Sequence, residues 1–393
     1  MHRISCRLLF CLAAAFGVAA GASADELQVR IGYLAHLPPR GPLLSNVIPE
    51  PTDAGRRGAE LAITDSNSTG RFLKQQFALQ SAESDQADEL LAAAERQYQA
   101  GIRLFVINAP AETLRQLSER LPDSLLFNAG SADDGLRREQ CLGNVLHTLP
   151  SRAMLADALA QFLAVRKWTR WLLVTGTTED DIAYAEALKR AAKRFGHKIV
   201  AEKPWSFDND QRRSAQAEMP LFTQASEYDV VLAADERGDF GEYLPYNTWL
   251  PRPVAGTQGL TPTAWHKTVE TFGAAQLQKR FEALAGRWMN DRDFAAWMAV
   301  RSIATAVTRL RAAEPQAIRN LALSADLPLD GFKGRKLSFR PWNGELRQPI
   351  PLVHPRALVS TSPQDGFLHP SNEMDSLGYD RPEVSCDLAG MPL

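Results

Sequence analysis

Short apolar segments of β-forming residues alternate with longer amphipathic segments along the chain, and this alternation restricts the possible folds more than any other feature. The first predicted strands occupy residues 27–35, 75–83 and 103–107, and a helical pattern of apolar residues follows each of them. Strands that alternate with helices in this way form a mainly parallel sheet with helices on both faces. The sequence therefore predicts the α/β class.

The same alternation begins again after residue 149, so the chain is expected to form two lobes. A chain of 393 residues also exceeds what one hydrophobic core normally supports. We assign residues 25–149 and about 258–325 to an N-terminal lobe, and residues 150–257 and about 326–360 to a C-terminal lobe. Residues 361–393 are rich in Pro, Ser, Gly and Asp and are predicted to form an extended tail.

The N-terminus has the pattern of an export signal, which we assign to residues 1–24. Two arginines precede an apolar stretch from Leu8 to Ala20, and Ala22-Ser23-Ala24 forms a small-residue cleavage site. Cleavage after Ala24 would release the mature chain into the periplasm. The alternative is an uncleaved N-terminal anchor, although the apolar stretch is short for a membrane span. No stable insertion of the mature chain into a membrane is expected.

Charge and motif content exclude several classes of function. The chain has 44 Lys and Arg residues against 46 Asp and Glu residues, and loss of the signal removes only basic ones. A chain with this acidic balance is not expected to bind nucleic acid or anionic membranes. The sequence contains no nucleophile elbow, no HExxH and no phosphate-binding glycine loop. We therefore expect a protein that is not an enzyme and that carries no cofactor.

Two cysteines remain after removal of the signal, Cys141 and Cys386. An isolated pair in an oxidising compartment favours a disulfide, which would join the tail to the middle of the chain. The alternative is a pair of free thiols, because sequence spacing does not report spatial distance.

Carboxylates are clustered in three of the loops that follow predicted strands. The clusters are Asp133 with Asp134, residues 179–181, and Asp235 with Glu236. Ligands of open α/β sheets bind outside the carboxyl ends of the strands, so these loops are candidates for recognition. The alternative is that the acids cap helices, because carboxylates stabilise the first turn of a helix.

The segment "DFAAWMAVRSIATAVTRLRAAEPQAIRNLALSADLPLDGFKGRKLSFRPWNGELRQPI" at residues 293–350 resembles the type I periplasmic binding proteins of ABC transporters, in the branched-chain amino acid group. The resemblance covers nearly the whole mature chain. It implies two lobes, each a mainly parallel sheet flanked by helices, joined by hinge crossovers that close on a small ligand. It also implies a monomer whose partners are an ABC permease and its ATPase.

Two further stretches narrow the resemblance. Both resemble a subgroup of these proteins that is associated with alcohol oxidation dependent on pyrroloquinoline quinone. They are the segments "FGEYLPYNTWLPRP" at residues 240–253 and "SPQDGFLHPSNEMDSLGYDRPEVSC" at residues 362–386. The resemblance thus implies a binding component of a transporter linked to that oxidation. The alternative is a periplasmic sensor or accessory protein of the same fold that binds a cation, such as calcium or a lanthanide, or the quinone itself.

In amino-acid-binding relatives, Ser/Thr-rich loops after two strands of the first lobe hold the ligand carboxylate, and residues 108–113 and 128–134 correspond to them. Here most serines are replaced, Pro110 removes an N–H group and acids are present, so an aliphatic amino acid is a doubtful ligand. Acids that converge from both lobes would bind a cation or a hard metal ion, with Asp133 and Asp134 as its ligands. Otherwise the acids are solvated, and a neutral alcohol- or aldehyde-derived compound or the quinone binds. The expected ligand-binding residues are Tyr33, Asn108, Glu112, Thr113, Asn128, Ser131, Asp133, Asp134, Asp180, Asp181, Asp235 and Glu236.

Overall fold

The computed structural model describes residues 26–39, 47–205 and 215–393. The predicted signal peptide at residues 1–24 lies outside these ranges.

Five parallel strands form the sheet of the N-terminal lobe, in the order β2-β1-β3-β4-β5. Every residue of β3 is buried, as expected for a parallel strand covered on both faces. One face packs against α1, α8 and α9, and the other packs against α2 and α3. The strands are β1 (Leu27–His36), β2 (Gln75–Ser84), β3 (Leu104–Asn108), β4 (Leu125–Asn128) and β5 (Val145–His147). The helices are α1 (Arg56–Leu73), α2 (Ala87–Gln99), α3 (Ala111–Arg120), the single-turn α4 (Gly135–Arg138), α8 (Ala274–Ala285), α9 (Asp291–Leu310) and α10 (Pro315–Leu323).

Four parallel strands form the sheet of the C-terminal lobe, in the order β7-β6-β8-β9. Helices α5 and α6 cover one face, and α7 packs on the other. The strands are β6 (Arg170–Thr175), β7 (Lys198–Pro204), β8 (Val230–Ala234) and β9 (Val254–Gly256). The helices are α5 (Arg152–Val165), α6 (Glu179–Phe195) and α7 (Ala215–Phe222). The predicted α/β architecture of two lobes with mainly parallel sheets is confirmed.

The remaining strands are antiparallel and lie where the chain passes between the lobes. They form two small sheets, β10-β14-β15 and β11-β12-β13. The chain changes lobe between β5 and α5, after β10, and between β13 and β14. The strands are β10 (Thr261–Pro262), β11 (Leu329–Asp330), β12 (Lys336–Phe339), β13 (Leu346–Arg347), β14 (Ile350–His354) and β15 (Ala357–Ser362).

One part of the predicted division between the lobes needs correction. Residues 326–360 were assigned to the C-terminal lobe, but Leu329, Leu337 and Phe339 belong to the core of the N-terminal lobe. These residues follow α9 and α10 directly, and burial against those helices removes their apolar side chains from water. After α10, the chain returns to the core of the C-terminal lobe only at Ile350.

The C-terminal segment, residues 363–393, contacts both lobes. It contains short 3₁₀ turns at Glu373–Ser376, Arg381–Glu383 and Leu388–Gly390, although an extended tail was predicted. Leu377 packs in the core of the C-terminal lobe, and Leu388 packs in that of the N-terminal lobe. The predicted disulfide between Cys141 and Cys386 is confirmed, and it joins residues 245 positions apart.

Candidate functional site

The carboxyl ends of the two parallel sheets face each other. A Cβ atom placed on Gly238, after β8, would lie 3.4 Å from the Cγ1 atom of Val47, in the loop after β1. Near the first crossover, the backbone N–H of Arg152 donates to the carbonyl of Ala132 across the lobes. Loops at the carboxyl ends of the two sheets therefore meet where the lobes face each other, and we refer to the two sides of this region as the walls of the cleft.

Tyr33 and Asn108 form a fully buried pair at the ends of β1 and β3. The Asn108 Nδ2 atom donates to the Tyr33 hydroxyl at 3.2 Å and to the carbonyl of Ala54 at 3.1 Å. The Arg292 Nη1 atom donates to Asn108 Oδ1 at 3.0 Å. Burial raises the pKa of the Tyr33 hydroxyl well above its ordinary value. This pair fastens the loop before α1 to the N-terminus of α9.

The other two expected residues of this loop, Glu112 and Thr113, lie in the first turn of α3. The Thr113 hydroxyl is 2.7 Å from Nδ1 of His36, a residue that the sequence analysis did not select. Glu112 is exposed, and its carboxylate pairs with Arg115 on the same helix at 2.5 Å. The two side chains thus belong to different local contacts.

Asn128 organises the loop that follows β4. Its Oδ1 atom accepts from the backbone N–H of Gly130 at 3.2 Å and of Ser131 at 2.9 Å. Its Nδ2 atom donates to the Ser131 carbonyl at 2.8 Å and lies 3.0 Å from His147 Nδ1. The Ser131 hydroxyl accepts from the backbone N–H of Asp133 at 3.3 Å. The N–H groups of Gly130 and Ser131 are therefore directed at Asn128.

Asp133 and Asp134 both accept hydrogen bonds from helix N-termini. The Asp133 Oδ1 atom accepts from the N–H of Leu136 in α4 at 2.9 Å. The Asp134 Oδ1 atom accepts from the N–H of Ala153 in α5 at 2.9 Å, so an acid of the N-terminal lobe caps a helix of the other lobe. The protein surrounds most of the Asp134 carboxyl, and this burial raises its pKa to about 7.

A buried ionic network that the sequence analysis missed lies beside these acids. Arg137 is fully buried, donates to the carbonyls of Ser131 and Leu149, and lies 3.6 Å from Glu345. Glu345 is also fully buried; it accepts from the Ser151 N–H at 2.9 Å and from Arg340 at 2.6 Å. The network joins the first and third crossovers. The sequence signal was the charged pair that flanks the Asn-Gly turn in "RPWNGE".

In the C-terminal lobe, Arg152 at the start of α5 brings together two of the expected acids. Its Nε and Nη2 atoms donate to the two carboxylate oxygens of Glu236, each at 2.7 Å. The same Nη2 atom donates to Asp180 at 2.6 Å. Burial lowers the pKa of the Arg152 guanidinium, but the hydrogen bonds and charge of Glu236 outweigh it, so the pKa is raised overall.

Backbone amides satisfy the remaining two acids. Asp181 and Thr178 form a capping box at the N-terminus of α6, and Asp181 also accepts from the Glu236 N–H at 2.7 Å. Asp235 accepts from the four backbone N–H groups of residues 238–241, at 2.6 to 3.0 Å. Burial raises the pKa of Asp235. Both carboxylates thus hold the cleft loops of this lobe in shape.

Across residues 26–39, 47–205 and 215–393, no group of three or more His, Cys, Asp or Glu side chains is arranged to hold a metal ion. Within the same residues, no helix has the length and apolar character needed to cross a membrane. Asp133 and Asp134, which were expected to ligate a metal if one binds, use one oxygen each to accept a backbone N–H.

A sequence model for the periplasmic binding protein family matches residues 47–244, which include most of the cleft loops. No curated protein matches the chain.

Solved structures with the same fold cover nearly the whole chain. One is the periplasmic ligand-binding protein of a branched-chain amino acid ABC transporter from Burkholderia xenovorans LB400, which is 17% identical, with a TM-score of 0.72 over 92% of this chain and 100% of that chain. Another is an ABC transporter substrate-binding protein from Desulfitobacterium hafniense in complex with Leu, which is 16% identical. Its TM-score is 0.64, and the match covers 86% of this chain and 100% of that chain. A third is an ABC transporter solute-binding protein from R. palustris in complex with benzoate, which is 12% identical. Its TM-score is 0.64, and the match covers 91% of this chain and 99% of that chain. At these identities the shared property is the fold.

Proposed function

Because this chain belongs to the periplasmic binding protein family, we propose that it captures a small ligand between its two lobes and delivers it to an ABC permease and its ATPase. The observation that carries the proposal is that loops at the carboxyl ends of the two parallel sheets meet between the lobes, with three crossovers among the described residues. Ligands of open α/β sheets bind at this edge. Rotation of the lobes about the crossovers would open and close the cleft.

The relatives support a small organic ligand. The Desulfitobacterium hafniense protein holds Leu and the R. palustris protein holds benzoate, and both share the fold of this chain over most of its length. The family and the N-terminal sequence pattern together support export to the periplasm, with cleavage after Ala24.

We further propose that the ligand is connected with alcohol oxidation that depends on pyrroloquinoline quinone. The support is the sequence resemblance of residues 240–253 and 362–386 to that subgroup. The first stretch follows β8 at the cleft, and the second lies mostly in the C-terminal segment that contacts both lobes.

Thermal denaturation of the mature chain against a ligand library tests the main proposal, because tight binding to the native state raises its melting temperature. The library contains leucine, benzoate, short and aromatic alcohols and aldehydes, pyrroloquinoline quinone, CaCl₂ and LaCl₃. We expect at least one organic compound to raise the melting temperature and to bind with one-to-one stoichiometry in calorimetry. X-ray scattering should then show a smaller radius of gyration with the ligand.

Uptake of the identified ligand by cells that lack the gene separates transport from sensing. Loss of uptake, restored by the wild-type gene, supports the transporter. Normal uptake in the deletion strain, or a library without any stabilising compound, contradicts it.

A further inference from the structure

Within the proposed function, on which this inference rests, the geometry points to the chemical class of the ligand. We infer that the cleft selects a small uncharged molecule that carries a hydroxyl or carbonyl oxygen and has neither a free carboxylate nor an ammonium group.

The cationic side chain at the C-terminal wall is already neutralised. The Arg152 side chain is only 8% exposed, and its guanidinium binds both oxygens of Glu236 and one oxygen of Asp180. Two carboxylates on one guanidinium leave a local excess of negative charge. A ligand carboxylate placed here would be a third acid on the same cation and would be repelled by the other two.

Three of the expected acids of this wall are equally unavailable to an ammonium group. Glu236 gives both oxygens to Arg152, and a ligand cation would have to displace that buried guanidinium. Asp181 gives its oxygens to the N–H groups of Thr178 and Glu236. Asp235 is held by four amides. An ammonium group at any of these three acids would therefore break an existing bond for each one that it forms. Asp180 gives one oxygen to Arg152, but its side chain is 71% exposed, so water would screen an ion pair there and leave it weak.

In the described part of the N-terminal wall, the loop after β4 does not turn its first amides toward an anion. The N–H groups of Gly130 and Ser131 both point at Asn128 Oδ1, and Pro110, in the other loop, has no N–H group. The nearby Arg292 pairs with Glu50 at 2.9 Å and also donates to Asn108. The charge of Arg292 is thus already paired within the protein.

At the C-terminal wall, Thr175 is a neutral polar residue whose hydroxyl has no hydrogen-bond partner among the described residues. Thr175, the last residue of β6, is 7% exposed, and its hydroxyl oxygen is unpaired. Trp171 and Leu173, at alternate positions of the same strand, pack on the face covered by α5 and α6. Thr175 therefore points to the side of the sheet where these two helices begin, which is the side of Arg152 and Asp180.

A buried hydroxyl without a partner is unfavourable, so a ligand oxygen that reaches Thr175 would gain a bond that the described residues do not supply. A neutral hydroxyl can donate to a carbonyl or exchange a hydrogen bond with an alcohol without adding charge to the wall. Charged and neutral relatives of one compound should therefore differ strongly in affinity.

Calorimetry with matched ligand sets tests this inference directly. Each set shares one carbon skeleton: benzoate, benzyl alcohol and benzylamine, or butyrate, 1-butanol and butylamine, all at pH 7.5. We expect wild-type protein to bind the alcohol of at least one set at least tenfold more tightly than its acid or amine. Tighter binding of the acids or amines, or no binding of any alcohol, overturns the inference. The proposed function is tested separately: it fails if the wider library contains no ligand or if the deletion strain takes up the ligand normally.

Substitution of the acids that pair with Arg152 shows whether charge, and not the shape of the site, excludes a ligand carboxylate. The double variant Asp180→Asn with Glu236→Gln should gain at least tenfold in benzoate affinity because it frees the charge of Arg152. If the double variant does not fold, Asp180→Asn alone is the substitute, since the Asp180 side chain is 71% exposed. The matched control is Glu186→Gln on the exposed side of α6, which should change nothing. Unchanged benzoate affinity in the folded variants contradicts the role of Arg152.

A separate variant removes only the unpaired hydroxyl of Thr175. Thr175→Val keeps the shape of the side chain, so we expect the melting temperature to stay within about 2 °C of wild type, because no protein hydrogen bond is lost. Affinity for the alcohol should fall at least fivefold. A purely structural Thr175 would instead lower the melting temperature, and unchanged alcohol affinity in this variant overturns the assignment of the subsite.

Discussion

Replacement of both disulfide cysteines by serine should destabilise the protein mainly through its unfolded state. The bond between Cys141 and Cys386 closes a loop of 245 residues, most of the described chain. In the chain-entropy model, release of such a loop costs about 5 kcal/mol at 25 °C, and removal of native disulfides usually costs about 2–5 kcal/mol. We therefore expect the free energy of unfolding to fall by about 3 kcal/mol.

The native structure itself should change little, because other contacts hold the C-terminal segment in place. Asp375 accepts hydrogen bonds from Arg340 at 3.0 Å and from Arg347 at 2.7 Å. Leu377 and Leu388 remain buried in the two cores. The ligand affinity of the double serine variant should accordingly match that of wild type.

Urea unfolding followed by tryptophan fluorescence measures both expected effects. The midpoint should fall, and the slope m should rise, because an unfolded chain without the link exposes more surface. Wild-type protein treated with dithiothreitol should behave like the double serine variant. The control Ser385→Ala removes only a hydrogen bond of the neighbouring residue to the Arg138 carbonyl. A loss below about 1 kcal/mol with an unchanged m would refute the reasoning, because the link would then not restrict the unfolded chain.

Three further substitutions test the packing and the acids of the site. Burial raises the pKa of Asp134 to about 7, so the native state retains a proton that the unfolded state loses near pH 4. The free energy of unfolding therefore falls as the pH rises from 4 to 7. Asp134→Asn should make the melting temperature less dependent on pH in this window, and an unchanged pH profile would contradict the pKa shift. Gly58→Ala should lower the free energy of unfolding in urea by about 1–3 kcal/mol, because the new Cβ would lie 1.9 Å from the Asp293 carbonyl oxygen. The control Ser68→Ala, on the exposed side of α1, should leave this free energy nearly unchanged. Asn128→Ala should cost about 1–3 kcal/mol by leaving two loop amides unpaired, and a neutral result would show that water replaces the side chain.

Much of the site could be located from the sequence but not assembled from it. The candidate acids were found in the loops after strands, and the structure places them at the carboxyl edges of the two sheets. Their partners were not found. Arg152 lies 28 residues from Asp180 and 84 residues from Glu236, so no local pattern connects them. The contact between Ser151 and Glu345 spans 194 residues.

The sequence by itself determined the α/β class and the two lobes and favoured the disulfide, because apolar periodicity and cysteine count report burial and compartment locally. Tertiary structure alone decided what each carboxylate does. A side chain such as Asp134 or Glu236 is a ligand, a helix cap or half of an ion pair according to which donors the crossovers bring beside it. Those donors come from distant parts of the chain, and their distance and burial, which set the electrostatic energy, exist only in the folded molecule.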